Sequence, residues 1–321
     1  MLRRCLLIGL LSCVPFAAFS QTYPDHPVRL VVGFPPGTGP DLVARSVAQA
    51  LGDGSRGQRL VVENRAGAGG QIAAQTVTRS PADGYTLLLG EAGSISIAPA
   101  VYSKLPYDPE KQLVPVVELA RSDYVLVVPI SSPAHDVKGF IANARSDAKR
   151  INFATFGIGT QAYLGAEMLA DLAGFKIEPV HYRDTGAAIT SLISGAVQAA
   201  FLTPAMAAAH VSSGKMRALA ITAPVRSPLL PGVPTFTEAG WPQVDFSAWF
   251  AIFAPAGTPA PFLDALNRQL VTAVQHPDVQ RVLQEAGFKV TGTTRVESEK
   301  MVKSEAARWA NIVKTKGFKL D

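Results

Sequence analysis

The chain has 321 residues, of which 48% are hydrophobic and 8% aromatic, and its formal charge at pH 7 is +5. After the first twenty residues, no apolar run reaches the roughly 18 residues that a membrane-spanning helix needs. The basic residues form no block of the kind that a nucleic-acid groove uses. We therefore expect a protein that neither spans a membrane nor binds nucleic acid.

The first 20 residues have the pattern of a secretory signal peptide. Arg3 and Arg4 precede an apolar run from Cys5 to Ala18, and small residues follow. We predict cleavage after Ser20 and a periplasmic location. The alternative is a lipoprotein acylated at Cys13, although the apolar segment before that cysteine is short.

Removal of residues 1–20 would also remove both cysteines, Cys5 and Cys13. The mature chain would then have no thiol for a disulfide, a thiolate metal site or a cysteine nucleophile. Its formal charge would fall to about +3 because two arginines are lost with the peptide.

Strand patterns alternate with helical patterns over most of the remaining chain. The first series has strands at 28–32, 60–63 and 85–89, with helices at 41–51 and 71–79. The second has strands at 124–128, 151–155, 176–182, 197–202 and 216–222, with helices at 137–145, 164–172, 187–194 and 206–213. This alternation is typical of βαβ units and predicts two sheets of parallel strands.

Two segments rich in proline and polar residues, 100–122 and 223–243, are predicted to connect the two series. They are followed by an apolar run at 247–255 and helical patterns at 261–275, 277–286 and 296–315. These last helices need a sheet to pack against, so we predict that the chain returns to the first sheet.

The order of these segments predicts an α/β protein of two lobes with two chain crossings and an interlobe ligand cleft. We assign residues 21–122 and 229–321 to lobe 1 and residues 123–228 to lobe 2.

The turn after the first strand pattern has a composition suited to binding an anion. Gly37 and Gly39 have no side chain, so backbone N–H groups there can approach a ligand closely. Pro40 and Asp41 favour the start of a helix, whose free N–H groups attract carboxylate or phosphate. The alternative is a well-capped turn without a ligand, since such turns routinely use the same residues.

The turn from Thr155 to Gln161, which reads TFGIGTQ, has the same pattern, so two such turns on two lobes would face one cleft. Residues 157–162, GIGTQA, also match the G-x-G-x-x-G/A pattern of dinucleotide-binding proteins, with Glu178 as the candidate ribose-binding acid. That match is weak because Glu178 lies inside its strand pattern, the unit occurs once, and an exported protein would need the cofactor outside the cytoplasm. We expect no cofactor.

Other catalytic and metal motifs are absent from the sequence. The histidines show no metal-ligand spacing, and the zinc-protease, nucleophile-elbow and P-loop motifs do not occur. We expect no metal site and no enzymatic activity. A hydrolase with Ser94 or Ser96 as its nucleophile is an alternative, but the sequence suggests no base for it.

Eight segments in order along the chain resemble the extracytoplasmic solute receptors of tripartite tricarboxylate transporters, the TctC or Bug family. They are 23–45, 61–74, 81–90, 105–119, 153–167, 181–201, 214–222 and 230–242. The resemblance implies a type II periplasmic binding protein that closes around its ligand like a Venus flytrap and acts as a monomer. It also implies delivery of a small carboxylate to membrane permease subunits, or its presentation to a membrane sensor kinase.

In this family, as the resemblance implies, backbone amides and small polar side chains of the first and fifth β-to-α turns hold the ligand carboxylate. The corresponding residues are Phe34, Gly37, Thr38, Gly39 and Asp41 in the first turn and Thr155, Gly157, Gly159, Thr160 and Gln161 in the fifth. Ala92, Ser94 and Asp184 would line the rest of the cleft.

Two departures from the family pattern concern the ligand. Relatives commonly have a Gly-Ser-type fifth turn; here Thr160 replaces the serine and keeps a hydroxyl. Relatives also usually have Tyr-Lys-Gly at the position where this chain has Tyr182-Arg183-Asp184. Asp184 in the cleft would repel a second ligand carboxylate or bind an amine. Alternatively, Asp184 faces solvent or caps the next helix. The expected ligand is therefore a small organic acid, nitrogen-bearing acids included.

Overall fold

A computed structural model describes residues 23–54, 60–146, 151–157, 159–182 and 185–316. The strands are β1 (Val28–Val32), β2 (Leu60–Asn64), β3 (Thr86–Glu91), β4 (Leu113–Asp123), β5 (Val125–Pro129), β6 (Ile151–Thr155), β7 (Ile177–His181), β8 (Ala199–Leu202), β9 (Met216–Ile221), β10 (Ser247–Pro255) and β11 (Phe288–Val290). The helices are α1 (Gly39–Gly54), α2 (Gln71–Thr78), α3 (Ala98–Val101), α4 (Pro109–Gln112), α5 (Val137–Ser146), α6 (Gln161–Ala173), α7 (Thr185–Ser194), α8 (Pro204–Ser212), α9 (Ala260–Val274), α10 (Pro277–Glu285) and α11 (Arg295–Lys316). The predicted signal peptide lies outside the described residues.

The strands form two mixed sheets, one in each of two α/β lobes. The first has the order β11-β4-β10-β3-β1-β2 and the second β7-β6-β8-β5-β9. In the first sheet β1 is parallel to β2 and β3, while β10 is antiparallel to β3 and β4. In the second sheet β6 is parallel to β7 and β8, while β5 is antiparallel to β8 and β9.

The prediction that all strands are parallel is wrong for β10 in the first sheet and β5 in the second, which run antiparallel to their neighbours. Both strands follow a chain crossing, which explains their direction. At its start, β10 pairs Ser247 with Asp123, the last residue of β4. At its start, β5 pairs Val125 with Leu202 and Ile221, the last residues of β8 and β9. A strand that enters from the other lobe therefore begins where the parallel strands end, and it must run against them. Ligands bind at this carboxyl edge in open α/β sheets.

The predicted connection at 100–122 is wrong in its second half, because it contains most of β4. This strand is largely buried, but its sequence LVPVVELARSD includes a proline and three charged residues that hide the strand pattern. Pro115 pairs with Phe253 at a register shift, where a proline is tolerated in a sheet. The short strand β11 was not predicted either, whereas the other predicted elements match the structure to within three residues.

The C-terminal segments return to the first sheet, as predicted. Leu266 and Leu270 of α9 and Leu283 of α10 pack with Val43 and Val47 of α1 in one buried cluster. On the other side of the sheet, α11 contacts β4, and its Trp309 is 1% exposed. These contacts confirm that the tail covers lobe 1.

Both chain crossings meet at Thr222. The Thr222 N–H donates to the Tyr124 carbonyl at 2.8 Å, and the Tyr124 N–H donates to Thr222 Oγ1 at 2.9 Å. Thr222 Oγ1 in turn donates to the Phe246 carbonyl at 2.6 Å. Since Tyr124 precedes β5 and Phe246 precedes β10, this one buried residue joins the entry points of both lobes.

Candidate ligand-binding cleft

The two lobes contact each other at glycine residues, near the carboxyl edges of their sheets. A methyl group added at Gly93 would lie 3.1 Å from the Gly159 carbonyl oxygen, and one added at Gly157 would lie 3.9 Å from the Gly69 nitrogen. A methyl group added at Gly33 would lie 2.5 Å from Gly70 Cα. The second-lobe turn therefore lies against the segments around 69 and 93 of the first lobe.

The first predicted turn is held by its own hydrogen bonds. The Gly37 N–H donates to Asp41 Oδ2 at 2.9 Å, and the Thr38 hydroxyl donates to the Pro35 carbonyl at 2.7 Å. Asn64 Nδ2 donates to the Phe34 carbonyl at 2.9 Å. The Gly37 N–H and the Thr38 hydroxyl are therefore paired within lobe 1. A contact of this turn with a ligand stays a prediction.

Asp41 has a structural role in this turn. It is 3% exposed and accepts hydrogen bonds from Arg45 Nε at 2.9 Å and from Asn64 Nδ2 at 2.8 Å. Burial alone would raise the pKa of Asp41, but the hydrogen bonds from Arg45, Gly37 and Asn64 hold this pKa below its usual value. Gly39 packs within lobe 1, since a methyl group there would lie 3.0 Å from the Phe288 ring.

The turn of the second lobe offers a free donor. Gly157 and Gly159 have φ values of +135° and +81°, which favour glycine, and Thr160 caps α6 by accepting the Tyr163 N–H at 3.4 Å. Gln161 is 2% exposed, and its Nε2 has no hydrogen-bond partner in the described part of the chain. A buried amide without a partner is uncommon in a native structure and needs an explanation.

Thr155, at the end of β6, is fully buried, and its Oγ1 lies 2.5 Å from His181 Nδ1. Burial lowers the pKa of His181, so this histidine is favoured in its neutral form. The pair fixes the strand end from which the turn leaves.

The sequence analysis missed a third turn, 67–70, which precedes α2. Its residues have positive φ values, including Ala68 at +48°, and no side chain caps the start of α2. The backbone N–H groups of a helix start attract anions when no side chain occupies them. The run GAGG before a helical pattern resembles the other two turns and could have indicated this one.

The segment after β3 contains a buried acid that was also missed. Glu91 is 4% exposed and accepts the Gly93 N–H at 2.8 Å and the Ser94 N–H at 3.0 Å. Burial raises the pKa of Glu91 to about 7, although these two hydrogen bonds oppose the shift. Ala92 is fully buried beside it.

The described hydrogen bonds do not form a hydrolase site at Ser94 or Ser96. The Ser94 hydroxyl donates to the Glu91 carbonyl at 3.4 Å, and the Tyr107 hydroxyl donates to the Ser94 carbonyl at 2.7 Å. Ser96 Oγ is buried without a partner among the described residues. No histidine is paired with either serine there.

The dinucleotide interpretation fails on strand register. Glu178 pairs with Asn152, whereas the turn leaves β6 after Thr155. Three residues along a strand place Glu178 about 10 Å from the carboxyl edge where the ribose would lie.

Within the described ranges, no helix is long and apolar enough to cross a membrane, and no three His, Cys, Asp or Glu side chains are grouped as metal ligands. Asp184 lies outside the described residues. Its contact with a ligand stays a prediction.

Known proteins resemble this chain along most of its length. A family model described as the tripartite tricarboxylate transporter family receptor matches residues 43–318. Protein BugT of Bordetella pertussis is 35% identical, over 94% of this chain and 92% of BugT. MatC from Rhodopseudomonas palustris, solved with bound malate, is 32% identical with a TM-score of 0.84, over 91% of this chain and 100% of MatC. Rpa4515 of R. palustris, solved with adipate, is 31% identical with a TM-score of 0.86, over 92% of this chain and 99% of Rpa4515.

Proposed function

Because the chain belongs to the tripartite tricarboxylate transporter receptors, periplasmic solute-binding proteins of the TctC or Bug type, we propose that it captures a small carboxylate between its lobes. It then delivers this acid to the membrane permease subunits of such a transporter. The pattern of residues 1–20 supports export through a signal peptide.

The observation that carries the proposal is the buried amide of Gln161, which has no hydrogen-bond partner among the described residues and lies two residues after Gly159 of the lobe contact. Gln161 is the first residue of α6, at the helix end where the first backbone N–H groups lack intrahelical partners. The uncapped start of α2 lies on the opposite lobe, next to Gly157. Donors from two lobes and two helix dipoles favour an anion between them.

The number of donors agrees with the affinity that capture requires. Micromolar binding needs about −8.2 kcal/mol, and one charge-assisted hydrogen bond contributes roughly 1.5 to 3 kcal/mol. One lobe with two amides would not suffice after the loss of association entropy, whereas four to six donors from both lobes would. Closure would also give the loaded protein a shape that a membrane partner can recognise.

The bound acids of two relatives support a carboxylate ligand. Rpa4515 was solved with adipate and MatC with malate. The alignment with Rpa4515 covers 92% of this chain, and the alignment with MatC covers 91%. The catalytic alternatives have no support from the comparisons, because the family model describes transporter receptors and BugD, 30% identical, was solved as a periplasmic binding protein.

Isothermal calorimetry against a panel of organic acids tests the proposal. We expect at least one acid to bind, and Gln161→Ala to weaken its binding by about tenfold, the value of one hydrogen bond. Gln198→Ala is the matched control, since Gln198 lies in the same lobe and bonds Asn152 and Gly195 away from the cleft. Equal loss in both variants would remove Gln161 from the site. Conversion of an acid during incubation, detected by mass spectrometry, would contradict a binding protein.

A further inference from the structure

Glu91 brings a carboxyl group to the lobe contact without a cation to neutralise it. No Lys, Arg or His among the described residues forms an ion pair with Glu91, whose hydrogen bonds come from the backbone of Gly93 and Ser94 and from the Ser94 side chain. A carboxylate has about four lone-pair sites, so three donors still leave an acceptor position unused. The donors of lobe 1 around position 93 are therefore already occupied by an acid of the chain itself.

Two glycines of lobe 1, Gly70 and Gly93, lie next to this carboxyl near the contact with lobe 2. A methyl group at Gly70 would lie 3.5 Å from Glu91 Oε1, and one at Gly93 would lie 2.6 Å from the same oxygen. The added methyl group at Gly93 would also touch the Gly159 carbonyl oxygen. Gly70 and Gly93 thus lie next to Glu91, and Gly93 also faces the turn that carries Gln161.

We propose that Glu91 determines the ligand class: a carboxylic acid whose second polar end is a hydrogen-bond donor, such as a hydroxyl, amide or ammonium group, and not a second carboxylate. The inference rests on the proposed function, because it assumes that the first carboxylate is bound by the donors around Gln161 and α2. A donor group would use the remaining acceptor position of Glu91. A second carboxylate would meet a like charge in a site of low dielectric, with the nearby amides already taken.

The described titratable groups that interact with Glu91 are two tyrosines, and neither changes its charge near pH 7. Tyr107, from the segment before α4, and Tyr124, between β4 and β5, both feel its charge. Burial first, and the charge of Glu91 second, raise the pKa of each phenol, so both stay neutral near pH 7.

The pKa of about 7 gives opposite pH dependences for the two ligand classes. A dicarboxylate would bind with uptake of a proton by Glu91, so its affinity should fall by about tenfold per pH unit above pH 7. An aminocarboxylate would favour ionised Glu91, so its affinity should rise with pH towards about 7 and then level off.

Calorimetry with chain-matched acids at about pH 5.5 and about pH 8.5 tests the inference. The probes are succinate, γ-hydroxybutyrate and γ-aminobutyrate, and the longer set adipate, ε-hydroxycaproate and ε-aminocaproate. At the higher pH we expect the wild-type protein to prefer a donor-bearing acid over its matched dicarboxylate by at least about 100-fold. In Glu91→Gln the preference should fall below about tenfold, and the pH dependence should disappear.

Glu118→Gln is the control, because Glu118 is a buried acid of β4 that pairs with Arg121, away from the lobe contact. It should keep the wild-type preference. Two results would overturn the role of Glu91 but leave the proposed function intact. One is a dicarboxylate that binds the wild-type protein equally at both pH values, and the other is an unchanged ligand preference in Glu91→Gln. If Glu91→Gln does not fold, the wild-type pH series decides alone. Failure of all six acids to bind any of these proteins would overturn the proposed function as well.

Discussion

The hydroxyl of Thr222 should contribute more to stability than an ordinary buried hydroxyl, because it joins both chain crossings. In Thr222→Val the shape is kept, but the bond to the Phe246 carbonyl at 2.6 Å and the bond from the Tyr124 N–H at 2.9 Å are lost. Thr222 is 2% exposed, so water does not replace either partner. Two lost bonds of about 1 kcal/mol each, plus the cost of partners left unsatisfied, should lower the free energy of unfolding by about 3 kcal/mol.

Urea denaturation followed by tryptophan fluorescence measures this change, with Thr258→Val as the matched control. Thr258 is also buried, at 6% exposed, but its hydroxyl makes one bond, to the Pro255 carbonyl at 2.8 Å. We expect the control to lose about 1 kcal/mol. If Thr222→Val loses no more than Thr258→Val, the crossing is not held by this hydroxyl and the reasoning is wrong.

Four further outcomes are expected. Thr160→Ala should remove the cap of α6, lower stability by about 1 kcal/mol and weaken acid binding in calorimetry; unchanged values of both would contradict the cap. Gly37→Ala should lower stability by roughly 1 to 2 kcal/mol because φ is +79°, yet leave acid affinity unchanged, since the Gly37 amide already bonds Asp41; an affinity loss would return this turn to the site. The stability difference between the wild-type protein and Asp41→Asn should be full above about pH 4 and vanish as the pH falls through the lowered pKa of Asp41, measured by urea titration at several pH values. Trp309→Ala should lower the free energy of unfolding by about 3 to 5 kcal/mol, and a surface-like loss below about 1 kcal/mol would show that α11 is not part of the core.

Most elements of the fold could be predicted from local patterns, and the failures have local causes. Strands such as β1 and β6 are short buried apolar runs that end in a glycine-bearing turn. In β4, Pro115, Glu118 and Arg121 break that pattern, because the proline sits at a register shift and the two charged residues pair with each other. The direction of β10 depends on where the chain enters the sheet, which no local pattern records.

The two predicted turns of the candidate site differ in the partners that folding gives them. The turn from Thr155 to Gln161 lies at the lobe contact that the sequence predicts, and its glycines adopt the positive φ values that bare positions allow. The first turn has the same composition, but Asp41 accepts its Gly37 N–H and Asn64 donates to its Phe34 carbonyl. Glu91 looked like one more residue at a strand end, since its burial depends on segments far away in the sequence.

The sequence by itself determined the alternation of strands and helices, the two-lobed α/β plan and the family, because these follow from hydrophobic period, turn residues and ordered motifs along the chain. Only the tertiary structure decided which donors of the turns are already paired and which acid is buried at the lobe contact. A hydrogen bond or a desolvated charge depends on neighbours that folding brings together, and those neighbours are distant in the chain.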